Sequence, residues 1–288
     1  MKLSRAMILE IIRRKNEGMT SYQVRKIAGI STRRVDQIYS EYLKTGEAPE
    51  IGRKMGRPHR PITLQETKLV QEAYKYYRVC AETLEKLILR DNEIHIPHNH
   101  IHKIMLNLGL AKKMKKKHIR KKNWIRYERR HSLTAVHIDW HFNAEKRIWV
   151  FQVIDDASRK MLALLERKAR STDASIRGMK MALKYGKIKQ CISDHGAEFI
   201  SNCGGKSRFQ AFLKKEGIKH ILCKVKHPQS NGKAEKFFHL YDLHRWSFEN
   251  AEDFMWWYNE LRPHRSLRFK ELETPSIAFE RKRKAEVI

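Results

Sequence analysis

Three acids have the type and spacing to do chemistry: Asp139, Asp194 and Glu235. Asp139 closes the short apolar run Ala135-Val136-His137-Ile138, and Asp194 closes Cys191-Ile192-Ser193. Glu235 falls near the start of a long helix that the sequence opens at Ser230-Asn231. The intervals are 55 and 41 positions. Loops at strand ends are where α/β sheets place their active sites. Three carboxylates converging there could chelate Mg²⁺ or Mn²⁺, hard cations that prefer oxygen ligands. Two such ions about 3.5–4 Å apart would clamp the attacking and leaving oxygens of a phosphodiester. Strand-end aspartates are equally at home as turn residues or caps, so the acids by themselves leave both readings open.

The rest of the composition narrows the partner. The 288 residues hold 61 Lys and Arg against 32 Asp and Glu, a formal net charge of +29. An excess of this size favours a polyanion. No apolar run approaches the about 18 residues of a spanning helix, and no signal peptide precedes the basic start, so a cytoplasmic, nucleoid-associated protein is expected and no membrane partner. Cys80, Cys191, Cys203 and Cys223 form no C-x-x-C pair and match no zinc set; they read as reduced and mostly buried thiols.

The elements that must position the acids follow from periodicity. Residues 1–45 read as three short helices, with Leu9 and Ile12 on one apolar face, Val24, Ile27 and Ala28 on the next, and Val35, Ile38, Tyr39 and Tyr42 on the third. Gly29-Ile30-Ser31 joins the last two, with Ser31 as N-cap. This is a helix-turn-helix pattern whose third helix would expose Arg33, Arg34, Gln37 and Lys44 to a major groove. Residues 46–62 form a basic linker rich in Pro and Gly, in which Gly56-Arg57-Pro58 is similar to an AT-hook core and would carry Arg57 to a minor groove. Residues 63–110 read as a second helix-turn-helix-like unit; its His95, His98, His100 and His102 suit the opening of a recognition helix better than a metal set. Residues 111–130 are a basic connector with eleven Lys or Arg and one acid; Lys115, Lys116, Lys117, Arg120, Lys121 and Lys122 are its candidate phosphate contacts. From 131 to 280 the pattern changes to three strands followed by alternating helix and strand, which predicts an α/β unit with a mixed sheet.

Five segments in this last stretch carry a family resemblance. Ile138-Asp139-Trp140, Ile154-Asp155-Asp156-Ala157-Ser158-Arg159, Ser193-Asp194-His195-Gly196-Ala197-Glu198-Phe199, His227-Pro228-Gln229-Ser230-Asn231-Gly232-Lys233-Ala234-Glu235 and Tyr258 through Leu267 resemble, in order, the motifs of DDE transposases and integrases of the insertion-sequence type. The resemblance implies a ribonuclease H-like catalytic core: a mixed five-stranded sheet flanked by helices, preceded by all-α helix-turn-helix units. It implies Asp139, Asp194 and Glu235 as catalytic triad and metal ligands, with two Mg²⁺ or Mn²⁺ ions as cofactors. It implies double-stranded DNA, both transposon ends and target, as partner, a homo-oligomer assembled on that DNA, and cleavage followed by strand transfer. Asn231 and Lys233 become candidate DNA contacts, Asp155 a turn-fixing residue, and Phe254, Trp256 and Trp257 core aromatics. The long second interval, with Asn202-Cys203-Gly204-Gly205 as an extra loop, departs from the family's commonest spacing. The alternative from another class is a catalytically inactive or domesticated DNA-binding regulator, which would share the helical units and the charge.

Overall fold

The computed structural model describes residues 3–50, 60–112, 129–201, 205–223 and 232–283. By contacts the chain divides into two compact units, Met1–Pro61 and Ile62–Ile288.

The first unit is three helices: α1 (Arg5–Asn16), α2 (Ser21–Ala28) and α3 (Thr32–Thr45). Side-chain oxygens cap every start: Ser4 on Met7 N, Thr20 on Gln23 N and Ser31 on Arg34 N, and Gly29 closes α2 in the left-handed conformation. Ile8, Ile11, Ile12, Val24, Val35 and Ile38 form its core. The expected faces are out of phase in two places, because Leu9 and Ile27 are about half exposed. Three short helices enclose only one or two residues per turn, so the surplus apolar side chains stay outside.

The second unit opens with α4 (Leu64–Tyr77), α5 (Ala81–Asn92) and α6 (His98–Asn107), packed around Val70, Leu84, Leu87, Ile88, Ile101 and Ile104. These helices share one compact unit with the sheet that follows. Leu272 enters their core, Trp257 Nε1 donates to Tyr77 O at 2.8 Å, and Arg265 pairs with Glu82 at 2.6 Å.

The sheet has five strands: β1 (Val136–Asn143), β2 (Ile148–Asp155), β3 (Met161–Arg167), β4 (Gln190–Ser193) and β5 (Lys219–Leu222). Their order is β3-β2-β1-β4-β5. β1, β2 and β3 form an antiparallel meander, and β1–β4 and β4–β5 are parallel. This is the ribonuclease H-like arrangement. The parallel strands are reached through helices, α7 (Thr172–Leu183) before β4 and α8 (Arg208–Lys215) before β5. One face of the sheet, with Ile138, Trp140, Phe151 and Val153, packs on Met179, Phe209 and Leu213. The other, with Val150, Ile154, Met161 and Leu164, packs on Phe237, Phe238 and Tyr241 of α9 (Gly232–His244) and on Phe254 and Trp257.

β1 runs on past the residue where the sequence seemed to end it. Trp140 and Phe142 continue the alternation and pair with Phe151 and Trp149, so Asp139 sits mid-strand. Asp155 lies opposite Val136 and not beside Asp139. Of the three expected core aromatics, Phe254 and Trp257 are buried, whereas Trp256 is 56% exposed.

β3 is an edge strand, and a side chain takes the place of its missing neighbour. Asn259 accepts from Met161 N at 2.8 Å and donates to Met161 O at 2.9 Å. It sits in the π-helical turn Trp257–Leu261 between α10 (Ala251–Trp256) and the last helix, α11 (Pro275–Arg281). Asn259 is only 3% exposed, so replacing it with Ala leaves two buried backbone groups without partners. Urea unfolding of Asn259→Ala should show a loss of about 2–6 kcal/mol, since each of the two orphaned groups costs about 1–3 kcal/mol; an unchanged midpoint would refute this role.

Candidate active site

The parallel register of β1 and β4 pairs Val136 with Cys191 and His137 with Ile192, a constant offset of 55. The same offset carries Asp139 to Asp194, the first residue beyond β4. In-register residues on neighbouring strands point to the same face and stand about 4.8 Å apart. The row extends both ways. Gln152 of β2 lies opposite Asp139, and Leu164 of β3 opposite Gln152. Beyond β5, the register Ser193↔Leu222 brings Cys223 to the level of Asp194, with Cys223 N donating to Ser193 O at 2.8 Å. Burial raises the Cys223 thiol pKa, and the charges of Asp194 and Asp139 raise it further. Both aspartates therefore face one spot on the sheet, and the sulfur there stays protonated.

Local bonds hold the two carboxylates. Asp194 Oδ1 accepts from Gly196 N at 3.0 Å, and Asp139 Oδ1 accepts from Trp140 N at 2.8 Å. A Cβ on Gly196 would lie 3.1 Å from Asp194 Oδ1 and 2.8 Å from Glu198 Oε2. A larger residue there would have to displace the Glu198 carboxylate and press on Asp194. Glu198 is paired with Arg170 at 2.7 Å.

Glu235 is in the first turn of α9 and is exposed. Two anchors set the height of α9 over β1. At one end Lys233 pairs with Asp156, which also takes His137 Nε2 at 2.7 Å. At the other, His141 stacks on Phe238 with centroids 4.7 Å apart, and Asp242 accepts from Asn143 Nδ2 at 2.7 Å and bonds His141 Nε2 at 2.9 Å. Glu235 and Asp242 are seven residues apart, two turns on one helix face. His137, Asp139, His141 and Asn143 alternate onto one strand face. Glu235 lies between these anchors, one turn or less beyond Lys233. Among the described residues, no three His, Cys, Asp or Glu side chains are yet close enough together to hold an ion. The structure brings Asp139 and Asp194 toward one point and does not gather Glu235 with them; Glu235 faces solvent.

Asp156 is the residue that sequence reasoning missed. It is 1% exposed and collects His137 Nε2, Lys233 Nζ and, at 2.6 Å, Arg129 N. Burial would raise its pKa, but the His137 hydrogen bond and the Lys233 charge win and hold it well below the usual carboxylate range. The available signal was two consecutive acids at a strand end. Its neighbour Asp155 fixes the turn, as expected: it accepts from Ser158 N, Ser158 Oγ and Leu133 N at 2.6–2.8 Å.

Of the candidate DNA contacts, Arg33, Arg34, Gln37 and Lys44 are exposed on α3, with Arg34 Nη1 donating to Gln37 Oε1 at 3.2 Å. Lys233 is taken up by Asp156 and is 16% exposed. Arg57, Lys115, Lys116, Lys117, Arg120, Lys121, Lys122 and Asn231 lie outside the described residues. The histidine cluster resolves into pairs, with His95 and His98 on Glu85 at 2.9 and 3.0 Å and His100 on Glu66 at 3.2 Å. Of the cysteines, Cys191 is buried, Cys223 is partly so and Cys80 is exposed at the start of α5; all three are free thiols. No described helix is long and apolar enough to cross a membrane.

Comparison with known proteins identifies the sheet-bearing segment. The integrase core domain family model matches residues 130–228, which takes in Asp139 and Asp194. The chain is 32% identical over 152 residues to a putative integrase, ORF3, of Spiroplasma virus SpV1-C74, covering 45% of this chain and 42% of that one. It is 30% identical over 106 residues to an uncharacterized protein of Archaeoglobus fulgidus, covering 37% of this chain and 87% of that one. Residues 130–228 thus carry an integrase core domain, with a retroviral-integrase-like fold. This integrase-core chain thus spans less than half the length of the viral relative and most of the archaeal one.

Two histidines, buried His137 on β1 and part-buried His244 at the far end of α9, make the fold acid-sensitive. Burial lowers the pKa of His137 against the pull of Asp156; burial and the charges of Arg262 and Arg78 lower His244, at the end of α9, to about 4. Unfolded, both would protonate near pH 6.5. Their neutral folded forms therefore support full stability above about pH 6.5, and that contribution is lost as pH falls toward 4. Urea midpoints should drop between pH 7 and pH 5, and His244→Gln should shrink the drop. A drop of the same size in His244→Gln would remove His244 from this account.

Proposed function

We propose that this protein is a DNA transposase or integrase that binds transposon ends and carries out divalent-metal-dependent cleavage and strand transfer. The observation that carries the reading is the 55-residue register of β1 and β4, which supports Asp139 and Asp194 as neighbours when carried on past Ser193. Asp139, Asp194 and Glu235 would be the triad. The donor set suits Mg²⁺ or Mn²⁺, being hard carboxylate oxygens with only a protonated thiol beside them. Bound there, two ions would supply Lewis-acid stabilisation of the phosphodiester and a nucleophile active at neutral pH. The chain's own work is positioning. Gly196 and Trp140 N–H groups fix one oxygen of each aspartate, and the two anchors of α9 would let Glu235 complete the set. We assign residues 1–45 and 63–110 to DNA binding, 46–62 and 111–130 to basic connection and 131–280 to catalysis. A homo-oligomer on DNA and a nucleoid-associated location complete the reading.

Asp139→Asn, Asp194→Asn and Glu235→Gln each remove one ligating charge at constant size. Each should abolish cleavage and strand transfer on terminal-repeat DNA, and a double variant should be little worse, because members of one site do not add. DNA binding should persist in all three. EDTA should stop the reaction and leave the fold intact. Full activity in Glu235→Gln would sink the triad and reopen the regulator reading.

The exposed donors of α3 suit base reading, whereas phosphate contacts position without sequence information. Replacing Arg34 or Gln37 with Ala should cost about 1–3 kcal/mol on the terminal sequence and little on random DNA. Filter-binding on both DNAs checks this; equal losses would take α3 out of the recognition role.

A further inference from the structure

Gln152 is polar where its surroundings call for a hydrocarbon. It is fully buried, and among the described residues neither its amide oxygen nor its amide nitrogen has a partner. On its face of the sheet, Val150 and Ile154 flank it along β2, Leu164 lies beside it on β3, and Phe237 and Phe238 of α9 pack on the same cluster. A buried amide left unpaired is costly, and an apolar side chain of like volume would make a more stable core there. Two polar residues are its cross-strand neighbours, and neither is bonded to the amide in this structure. One is Asp139, directly opposite on β1, at a Cβ separation of about 4.5–5.5 Å for such a pair. The other is His137, the diagonal neighbour, whose Nδ1 is also buried and unpartnered. The Nε2 of His137 is turned to the carboxylate of Asp156, so a neutral ring leaves Nδ1 as an acceptor. An amide NH₂ has two hydrogens to give, and both neighbours are acceptors.

We propose that Gln152 is a positioning residue for Asp139: its amide nitrogen donates to the Asp139 carboxylate and to His137 Nδ1, holding the carboxylate in the orientation that receives a metal ion. This rests on the triad reading above. Donors behind a ligating carboxylate restrict its rotation, and losing one typically costs 10–100-fold in metal affinity or activity. The same bond ties the first aspartate to the Lys233–Asp156–His137 chain that anchors the glutamate helix. One end of the ligand set would then be held in register with the other.

The full chain with Gln152→Leu tests it, with Gln152→Met as a second variant that keeps the length and removes the amide. The probe is Mn²⁺ alone, titrated calorimetrically into wild type, each Gln152 variant and Asp139→Asn, with melting temperature and DNA affinity measured beside it. Gln152→Leu should melt at or above the wild-type temperature, bind DNA equally well, and bind Mn²⁺ at least tenfold more weakly. Its cleavage should need correspondingly more Mg²⁺ for half-maximal rate. A purely packing role would leave the metal dependence alone. Wild-type Mn²⁺ affinity in both Gln152 variants, with Asp139→Asn weakened, overturns the Gln152 proposal and leaves the triad standing. Wild-type affinity in Asp139→Asn overturns both.

Discussion

The parallel pairing of β1 with β4 is the constraint on which the site depends. Two strands 55 residues apart meet in a fixed register, and that register makes Asp139 and Asp194 neighbours on one face. A slip of one residue would turn either carboxylate to the opposite face, into the cluster of Phe151, Met179 and Phe209. The fold guards against the slip by burying both faces. β2, at the centre of the meander, is buried at six consecutive positions from Val150 to Asp155. No neighbouring strand can then shift without exposing apolar area on one side and burying charge on the other.

Against this fixed pair the third acid is mobile in principle, because it comes from a helix and not from the sheet. What limits it is where α9 can dock. Phe237, Phe238 and Tyr241 hold the helix to the sheet by area, which sets its distance but resists sliding weakly. Directional contacts set the height: Asp156 at the N-terminal end through Lys233, and Asp242 with His141 and Asn143 two turns on. The buried charge of Asp156 would be costly by itself. Three donors reaching it from the basic connector, β1 and α9 make the cost tolerable, and they turn a burial penalty into a three-way tie.

Much of this was legible in the sequence, and the reasons differ by element. The helical starts were readable because capping is local: Ser31 four residues ahead of Val35 is enough to define α3. The order of strands and helices was readable from hydrophobic run lengths, and the motifs around Asp139, Asp194 and Glu235 located the candidate acids. Register was not readable, because nothing local states that Asp139 faces Gln152 or that Asp155 faces Val136. The end of β1 was misplaced for a related reason: a charged residue within an alternating strand looks like its terminus unless the partner strand is known. Phase errors at Leu9, Ile27 and Trp256 share one cause, since an apolar residue does not announce which of two neighbouring faces has room for it.

The residues that sequence patterns explained least well lie in one place. His137, Gln152 and Asp156 are polar, nearly inaccessible and gathered on the face of the sheet beneath α9. The opposite face, around Phe151, Met179, Phe209 and Leu213, is largely apolar, and its buried hydroxyls are bonded: Ser175 Oγ accepts from Trp140 Nε1 and Ser193 Oγ bonds His220 Nε2. A fold selected for stability alone would fill both faces alike. Local rules tend to break where function imposes a cost that packing must offset. The asymmetry between the two faces is therefore independent of the motif spacing, and it points to the same patch of sheet. Spacing identifies which acids could act, whereas the polar layer beneath them shows where the protein accepts instability to hold them in place.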